Sequence, residues 1–463
     1  MKINIKIASI AAFAAMALSA NAQGLDLATL SQIAGSYTNS PADKALRNAI
    51  NSNAIDKLAK NSGNANAINQ RFSNKVNSKG ITNQKRSGRC WLFTGQNVLR
   101  AQMMAKHNLP ELKLSQNYNF FYDQLEKANL FLQGIIDTAK RPADDKTVDW
   151  LFSNPMSDGG QYTGISDNFM KYGVVPAEVM HETESSEGTD KLRQILSLRL
   201  REDGLRLRET AASGVSENAL QQEKIKMLSA VYRILVLTLG EPVKEFTWTR
   251  CDKDGNPVET KTYTPQSFYK EYAGNDLKND YIMLMNDPSR EYYKLYEIDF
   301  DRHVYDGKNW TYVNLPIEDI KEMAIKSIQD STMMYFSCDV NKFLDRDRGY
   351  LDINNYDYDS LFGTKFGMNK KERILTHASG SSHAMTLMAV DLDKDGKPTR
   401  WMVENSWGDG ANEGHLIMTD EWFNEYMFRL VVNKKYATAK TLEILKQKPT
   451  LLPAWDPMFA EEN

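Results

Sequence analysis

The sequence predicts an α+β chain, mainly helical in its first two thirds and β-rich in the last third. Two patterns carry this expectation. Apolar residues recur at helical intervals from Trp91 to Met104 and again between Leu192 and Leu239, among many Arg and Glu residues. From Met333 onward the period shortens, and Met333–Cys338, Ala384–Leu392, Arg400–Asn405 and His415–Met418 read as strands. No internal repeat and no large low-complexity insert interrupts this order.

Taken from the start, Lys2 and Lys6 precede an apolar run, Ile7 to Leu18, that is too short to span a bilayer. Ala20-Asn21-Ala22 then has the small-x-small form of a signal-peptidase site, with Gln23 as the expected mature start. An amphipathic N-terminal helix is the plainer alternative. Residues 1–22 are read as a signal peptide, and no cysteine follows the site to take a lipid anchor. The expectation is an exported, periplasmic or secreted bacterial protein without a membrane anchor. The formal charge is −3, and loss of Lys2 and Lys6 takes it to −5. That balance offers no basic footprint for nucleic acid or anionic lipid. Cys90, Cys251 and Cys338 are too few for a disulfide framework, with a single Cys251–Cys338 bridge left open.

Residues 23–76, rich in Asn, Ala and Ser, read as an exposed segment with one or two weak helices. A buried helix is expected to start at Cys90 and to stop at Asn108-Leu109-Pro110. A long helix follows from about Asp190, with Leu192, Ile195, Leu196 and Leu200 on one face. Ser216 is placed to cap the next one, which carries Leu220, Ile225, Leu228, Tyr232, Leu235 and Leu239 and ends at Gly240. Asp254-Gly255 is hairpin chemistry between Thr- and Val-rich segments. Asp391-Leu392-Asp393-Lys394-Asp395-Gly396 resembles half a calcium loop, but its twelfth position would be Met402, not the acid such a loop needs. A solvated hairpin turn is the better reading.

The chemistry lies in four separated pieces. Gln84 stands six residues before Cys90-Trp91; Ser382-His383-Ala384 and Asn405-Ser406-Trp407-Gly408 come much later. Singly each has an ordinary explanation, since a cysteine before an apolar helix is usually core and Asn-Ser-Trp-Gly can be a strand end entering a turn. Together and in this order they form the parts of a cysteine nucleophile site. A thiol attacks well only as thiolate, which the helix N-terminus at Cys90 and an ion pair with His383 would both favour. His383 would serve as general acid and base, Asn405 would orient it without adding charge, and Trp407 would shield that hydrogen bond. Gln84 and the Cys90 N–H would donate to the developing oxyanion. Such a scheme calls for no metal and no cofactor. Asp158-Gly159-Gly160-Gln161 fits either a backbone to which a substrate strand adds, with Gly159 and Gly160 as binding residues, or a plain turn.

From about Lys75 to its C-terminus the chain resembles the bleomycin hydrolase and aminopeptidase C branch of the papain-like cysteine peptidases. The match rests on Ser87-Gly88-Arg89-Cys90-Trp91, Tyr281–Pro288, Thr419-Asp420-Glu421-Trp422-Phe423 and Trp455-Asp456-Pro457-Met458. The resemblance implies a papain-like two-lobed α+β fold, a helical lobe plus a β-barrel-like lobe. It divides the chain into a helical lobe (77–182), a mainly helical insertion (183–327), a β-rich lobe (328–440) and a C-terminal arm (441–463). The separation of 293 residues from Cys90 to His383 agrees, because ordinary papain-like enzymes need only about 130–150. The resemblance further implies peptide substrates, a homohexamer built through the insertion, and an arm whose terminal carboxylate, here at Asn463, holds a substrate's α-ammonium group. The ending Phe459-Ala460-Glu461-Glu462-Asn463 departs from the usual Gly-Ala-Leu-Ala pattern, and Glu461 and Glu462 offer further carboxylates. The expected activity is that of an aminopeptidase. Endopeptidase or dipeptidyl-peptidase action, or a silent peptide-binding ring, are the alternatives.

Overall fold

The structure is a computed structural model that describes residues 24–65 and 68–459. The signal-peptide reading of residues 1–22 and the tail residues Glu461, Glu462 and Asn463 lie outside the described residues. Near the N-terminus, helices Leu27–Gly35, Pro41–Ser52 and Ile55–Ala59 lie on the surface, and the first two bury no residue. Among the described residues no helix is long and apolar enough to cross a membrane.

The helical lobe is built on three helices. α1 (Cys90–His107) ends where Asn108 turns into the left-handed region at φ 51° and Pro110 follows. α2 (Gln116–Asp137) starts at a cap in which Ser115 Oγ accepts from Tyr118 N. α3 (Tyr162–Tyr172) begins directly after the glycine pair. Two long helices pack beside α2: α4 (Asp190–Ala212) and α5 (Glu217–Leu239), the latter capped by Ser216 and stopped at Gly240, φ 90°. Their buried stripes are Leu192, Leu196, Leu200 and Leu207, and Leu220, Met227, Val231, Leu235 and Leu239. Ile195, Ile225 and Tyr232, expected on those faces, are exposed instead. A residue one step off a stripe is rotated about 100° from it, and a helix packed along one side buries a single stripe.

The insertion expected to be mainly helical, 183–327, is unbroken helix-rich chain only to Leu239, after which strands alternate with the helices Pro265–Tyr272 and Ile317–Gln329. A hairpin follows, β1 (Phe246–Cys251) and β2 (Pro257–Tyr263), turning at the predicted Asp-Gly pair. Then β3 (Tyr281–Met285), β4 (Lys294–Ile298) and β5 (Thr311–Asn314) join the main sheet. β3 hides from pattern reading because Ile282, Leu284 and Met285 are all buried; an apolar run without alternation does not separate strand from helix. After α6 (Ile317–Gln329) come β6 (Met334–Cys338), β7 (His383–Leu392), β8 (Pro398–Glu404), β9 (His415–Thr419), β10 (Met427–Asn433) and β11 (Thr450–Leu452). The four strands expected from Met333 onward are present with ends shifted by one or two residues.

The twelve-stranded mixed sheet runs β11-β4-β5-β3-β10-β6-β7-β8-β9 and continues into two short strands near Tyr350 and Leu344; Asn74–Lys75 pairs with β7. The turn between β7 and β8 is the hairpin at Asp393, whose carboxylate accepts from Asp395 N and Lys397 N. Two cores result. One joins the helices to a sheet face that presents Tyr335, Ala384 and Val431; the other includes Met323 and Ile320 of α6 packed with Phe336 and Leu387. Cys90 comes from the first lobe and His383 and Asn405 from the second, so the site lies where the lobes meet.

Candidate active site

Cys90 is the first residue of α1 and has no exposed surface. The backbone N–H of Ala384 donates to its Sγ at 3.3 Å, an arrangement that favours negative charge on the sulfur. Ala384 follows His383, which opens β7 and is itself buried. The antiparallel pairing of β7 with β8 sets Thr386 opposite Glu404 and brings the start of one strand beside the end of the other, where Asn405 stands. His383 Nε2 lies 2.8 Å from Asn405 Oδ1. The same oxygen accepts the Ser406 N–H at 2.8 Å, so it is the acceptor and Nε2 carries the proton. Nδ1 is then left for the thiol side. Trp407 stacks on the imidazole with centroids 4.9 Å apart and planes at 29°, and the guanidinium of Arg346 covers the tryptophan.

Gln84 is buried and fastened to the same loop. Its N–H donates to Ser406 O at 2.8 Å, its Oε1 accepts from Ser406 Oγ at 2.7 Å, and its Nε2 donates to Ser87 O at 2.6 Å. The amide is thereby oriented, with one N–H still available for an oxyanion. Gly408 allows this docking: its φ is 79°, and a Cβ there would stand 2.7 Å from Asn83 Nδ2.

Several residues to which the sequence reading gives no role of their own hold these parts together. Arg100 on α1 and Glu404 at the end of β8 form a buried ion pair at 2.6 Å, tying the helix that starts at Cys90 to the strand that ends before Asn405. Ser78 Oγ donates to the other Glu404 oxygen at 2.8 Å. Asp158 accepts the Gly88 N–H at 2.8 Å through its carboxylate and the Trp91 Nε1–H at 3.0 Å through its carbonyl, bracketing Cys90 from both sides. Beside His383, Asp339 accepts from Ser379 Oγ at 2.7 Å, and burial pushes its carboxyl up despite that bond. No local pattern announces such pairs.

Gly159 and Gly160 sit beside Trp91, but packing alone demands glycine at 160, since a Cβ there would stand 2.3 Å from His303 Cε1. A cleft of about 840 Å³ opens next to the site, walled by Gln84, Ser87, Gly88, Asp158, Trp150 and Phe459. Phe459, the last described residue, meets Trp150 edge-on at 5.3 Å. Among the described residues no group of three or more His, Cys, Asp or Glu side chains is arranged to hold a metal ion. Cys338 pairs across the sheet with His383, and no bridge joins it to Cys251 among the described residues.

Comparison with known proteins identifies the architecture. The model of the Peptidase C1-like family matches residues 24–459. This chain belongs to that family. It is therefore a cysteine peptidase by descent, and its curated relatives cover most of its length. Bleomycin hydrolase of Rattus norvegicus is 41% identical over 392 residues, 82% of this chain and 86% of that protein. Aminopeptidase C of Lactobacillus delbrueckii subsp. lactis is 36% identical over 438 residues, 93% of this chain and 97% of that one. The crystal structure of pepW from Lactobacillus rhamnosis HN001 superposes with a TM-score of 0.91 at 38% identity, covering 95% of this chain and 99% of the other. The two chains share one fold.

Proposed function

We propose that this member of the Peptidase C1-like family is an exported cysteine aminopeptidase that removes N-terminal residues from peptides through a Cys90 acyl-enzyme. The observation that carries the chemistry is the orientation of His383. Asn405 and Ser406 fix its proton on Nε2, leaving Nδ1 for a thiol that already accepts an N–H from Ala384. In the proposed reaction the Cys90 thiolate attacks the scissile carbonyl carbon, and the oxygen takes up negative charge toward Gln84 Nε2 and the Cys90 N–H. His383 Nδ1, which took the Cys90 thiol proton when the thiolate formed, gives that proton to the departing nitrogen as the C–N bond breaks and a thioester forms, while the Nε2 proton stays hydrogen-bonded to Asn405. It then takes a proton from water, whose oxygen attacks the thioester and releases the acid and the thiolate.

Aminopeptidase selectivity is supported by the arm. Phe459 walls the same cleft as Gln84 and Gly88, and the residues after it include Glu461 and Glu462, each able to offer a carboxylate to an α-ammonium group. The curated relatives named aminopeptidase C, G and E point the same way. A homohexamer is part of the same reading, supported by the exposed apolar Ile195, Leu198 and Leu205 on α4, which recur on one side of the helix. Export is supported by the leader pattern in residues 1–22, and fractionation of the native host tests it.

Peptides with free and N-acetylated termini, offered to the purified protein with and without the Cys90→Ala change, test the function. Free termini should be cleaved one residue at a time, blocked ones should resist, and Cys90→Ala should be inert. Equal turnover of blocked peptides, or activity without Cys90, would refute the proposal.

A further inference from the structure

Three titratable side chains that the hydrolytic scheme does not use lie together at the cleft, Lys127 lining it and His303 and Asp123 beside Lys127. His303, Asp123 and Lys127 are buried, with side-chain exposures of 2%, 0% and 7%. His303 Nδ1 meets one oxygen of Asp123, and Lys127 Nζ lies 3.3 Å from the other. Asp123 and Lys127 stand one turn apart on α2, so both point to the same side. Burial works against charge on Asp123, but the Lys127 ammonium and the hydrogen-bonded contact with His303 outweigh it and hold the carboxyl below its ordinary range. Lys127 also donates to the carbonyls of Ser157, at 3.0 Å, and of Gly159. Its ammonium lies 5.6 Å from the centre of the Trp91 ring.

The line ends against the catalytic segment. The His303 ring stands edge-on to Trp91 at 4.8 Å and fills the space that a Cβ at Gly160 or Gly164 would need. The segment that Lys127 grips, Ser157–Gly160, is the one whose Asp158 holds Gly88 and Trp91 on either side of Cys90. The Gly159 N–H is fixed in turn by Ser157 Oγ at 3.0 Å. Burying an ammonium is costly unless it is paired and hydrogen-bonded, and well-packed apolar residues usually stabilise as much. Packing therefore does not explain the triad. A cation does what an apolar residue cannot, drawing two carbonyls inward to one point.

We infer that Lys127, held by Asp123 and His303, is a positioning residue: it sets the backbone of Ser157–Gly160 as the rail on which the acyl half of the substrate lies. The inference rests on the reading of Cys90 as the nucleophile. Lys127 acts through the backbone carbonyls of Ser157 and Gly159, so its loss weakens substrate placement and leaves the reactivity of the thiol in place.

The test uses the full chain carrying Lys127→Met, Lys127→Arg or Ser157→Ala, with melting temperature followed beside three rates. KM and kcat are measured on an unblocked peptide, and the alkylation rate of Cys90 is measured with iodoacetamide, which needs no rail. Loss of a charge-assisted restraint predicts a rise in KM of roughly ten- to hundredfold for Lys127→Met. The kcat and the alkylation rate should stay within about twofold, the signature of lost uniform binding. Lys127→Arg should recover part of KM. Ser157→Ala, which removes the Gly159 restraint without touching a buried charge, should shift KM the same way by less, and it decides the matter if Lys127→Met fails to fold. Unchanged KM in the folded variants, or alkylation falling in step with turnover, overturns the inference. If the unmodified enzyme neither alkylates at Cys90 nor cleaves peptides, the nucleophile reading has failed instead.

Discussion

Replacing Asn405 by alanine removes the acceptor that defines the imidazole. His383 Nε2 donates to Asn405 Oδ1 at 2.8 Å, both residues are 2% exposed, and Trp407 covers the pair, so water cannot readily replace the lost oxygen. A hydrogen bond to an ionised partner contributes about 1.5–3 kcal/mol, which corresponds to a loss of roughly ten- to hundredfold in kcat/KM. The same energy acts on protonation. The carbonyl oxygen stabilises the imidazolium more than the neutral ring, so its loss makes His383 release its proton more easily. The alkaline limb of the kcat/KM profile should therefore move to lower pH. Profiles of kcat/KM and of Cys90 alkylation, recorded on both proteins across neutral pH, provide the assay. Ser406 N also loses its acceptor, so a lower melting temperature is expected, and both proteins are assayed below it. An unmoved alkaline limb with undiminished kcat/KM would refute the role assigned to Asn405.

Three further outcomes are expected. Gln84→Ala should lower kcat by about a hundredfold while leaving Cys90 alkylation nearly unchanged, because an oxyanion donor acts only once the tetrahedral oxygen forms; parallel loss of both rates would contradict it. Gly160→Ala drives a methyl to 2.3 Å from His303 and 2.8 Å from Trp91 and should cost about 1–3 kcal/mol in urea unfolding, whereas Gly410→Ala, with open space around it, should be near neutral. Burial pushes Lys370 down to about 7, with Arg373 adding to the effect against Glu425 and Asp287. Above that pH the unfolded chain still holds a proton there that the folded chain has released. Unfolding free energy from this group therefore rises with pH between about 7 and 10, and falls as pH drops back through that window. The rise should be missing in Lys370→Met, read as the difference between the two denaturation curves at several pH values.

How much of this was legible depends on where the information sits. Cys90, His383, Asn405 and Gln84 each have informative neighbours in sequence, and the helix cap at Ser216, the stop at Gly240 and the Asp-Gly hairpin are local chemistry that the structure repeats. Ser406 was read only as part of a motif, although its N–H, hydroxyl and carbonyl bind Asn405 and Gln84. Arg100 and Glu404 carry no signal in their own stretches of chain, and only packing turns them into a buried pair. β3 was lost in an insertion expected to be helical because a strand buried on both faces does not alternate. Ile195, Ile225 and Tyr232 were placed inside because periodicity says that a helix has an apolar side and not how wide a strip its neighbour covers.

By itself the sequence determined which chemical groups the protein has and the local period of the segments that carry them. A thiol at a helix start, an imidazole at a strand start and an amide at a strand end follow from neighbours a few residues away. Whether they meet was decided by tertiary structure alone. Cys90 and His383 are 293 residues apart, and their approach depends on two cores closing against each other, on the register of β7 with β8 and on the Arg100–Glu404 pair across the lobes. The grip of Lys127 on Ser157 and Gly159 belongs to the same class. Each partner is ordinary in its own stretch of chain, and the interaction exists only because folding removes the water that would otherwise satisfy both.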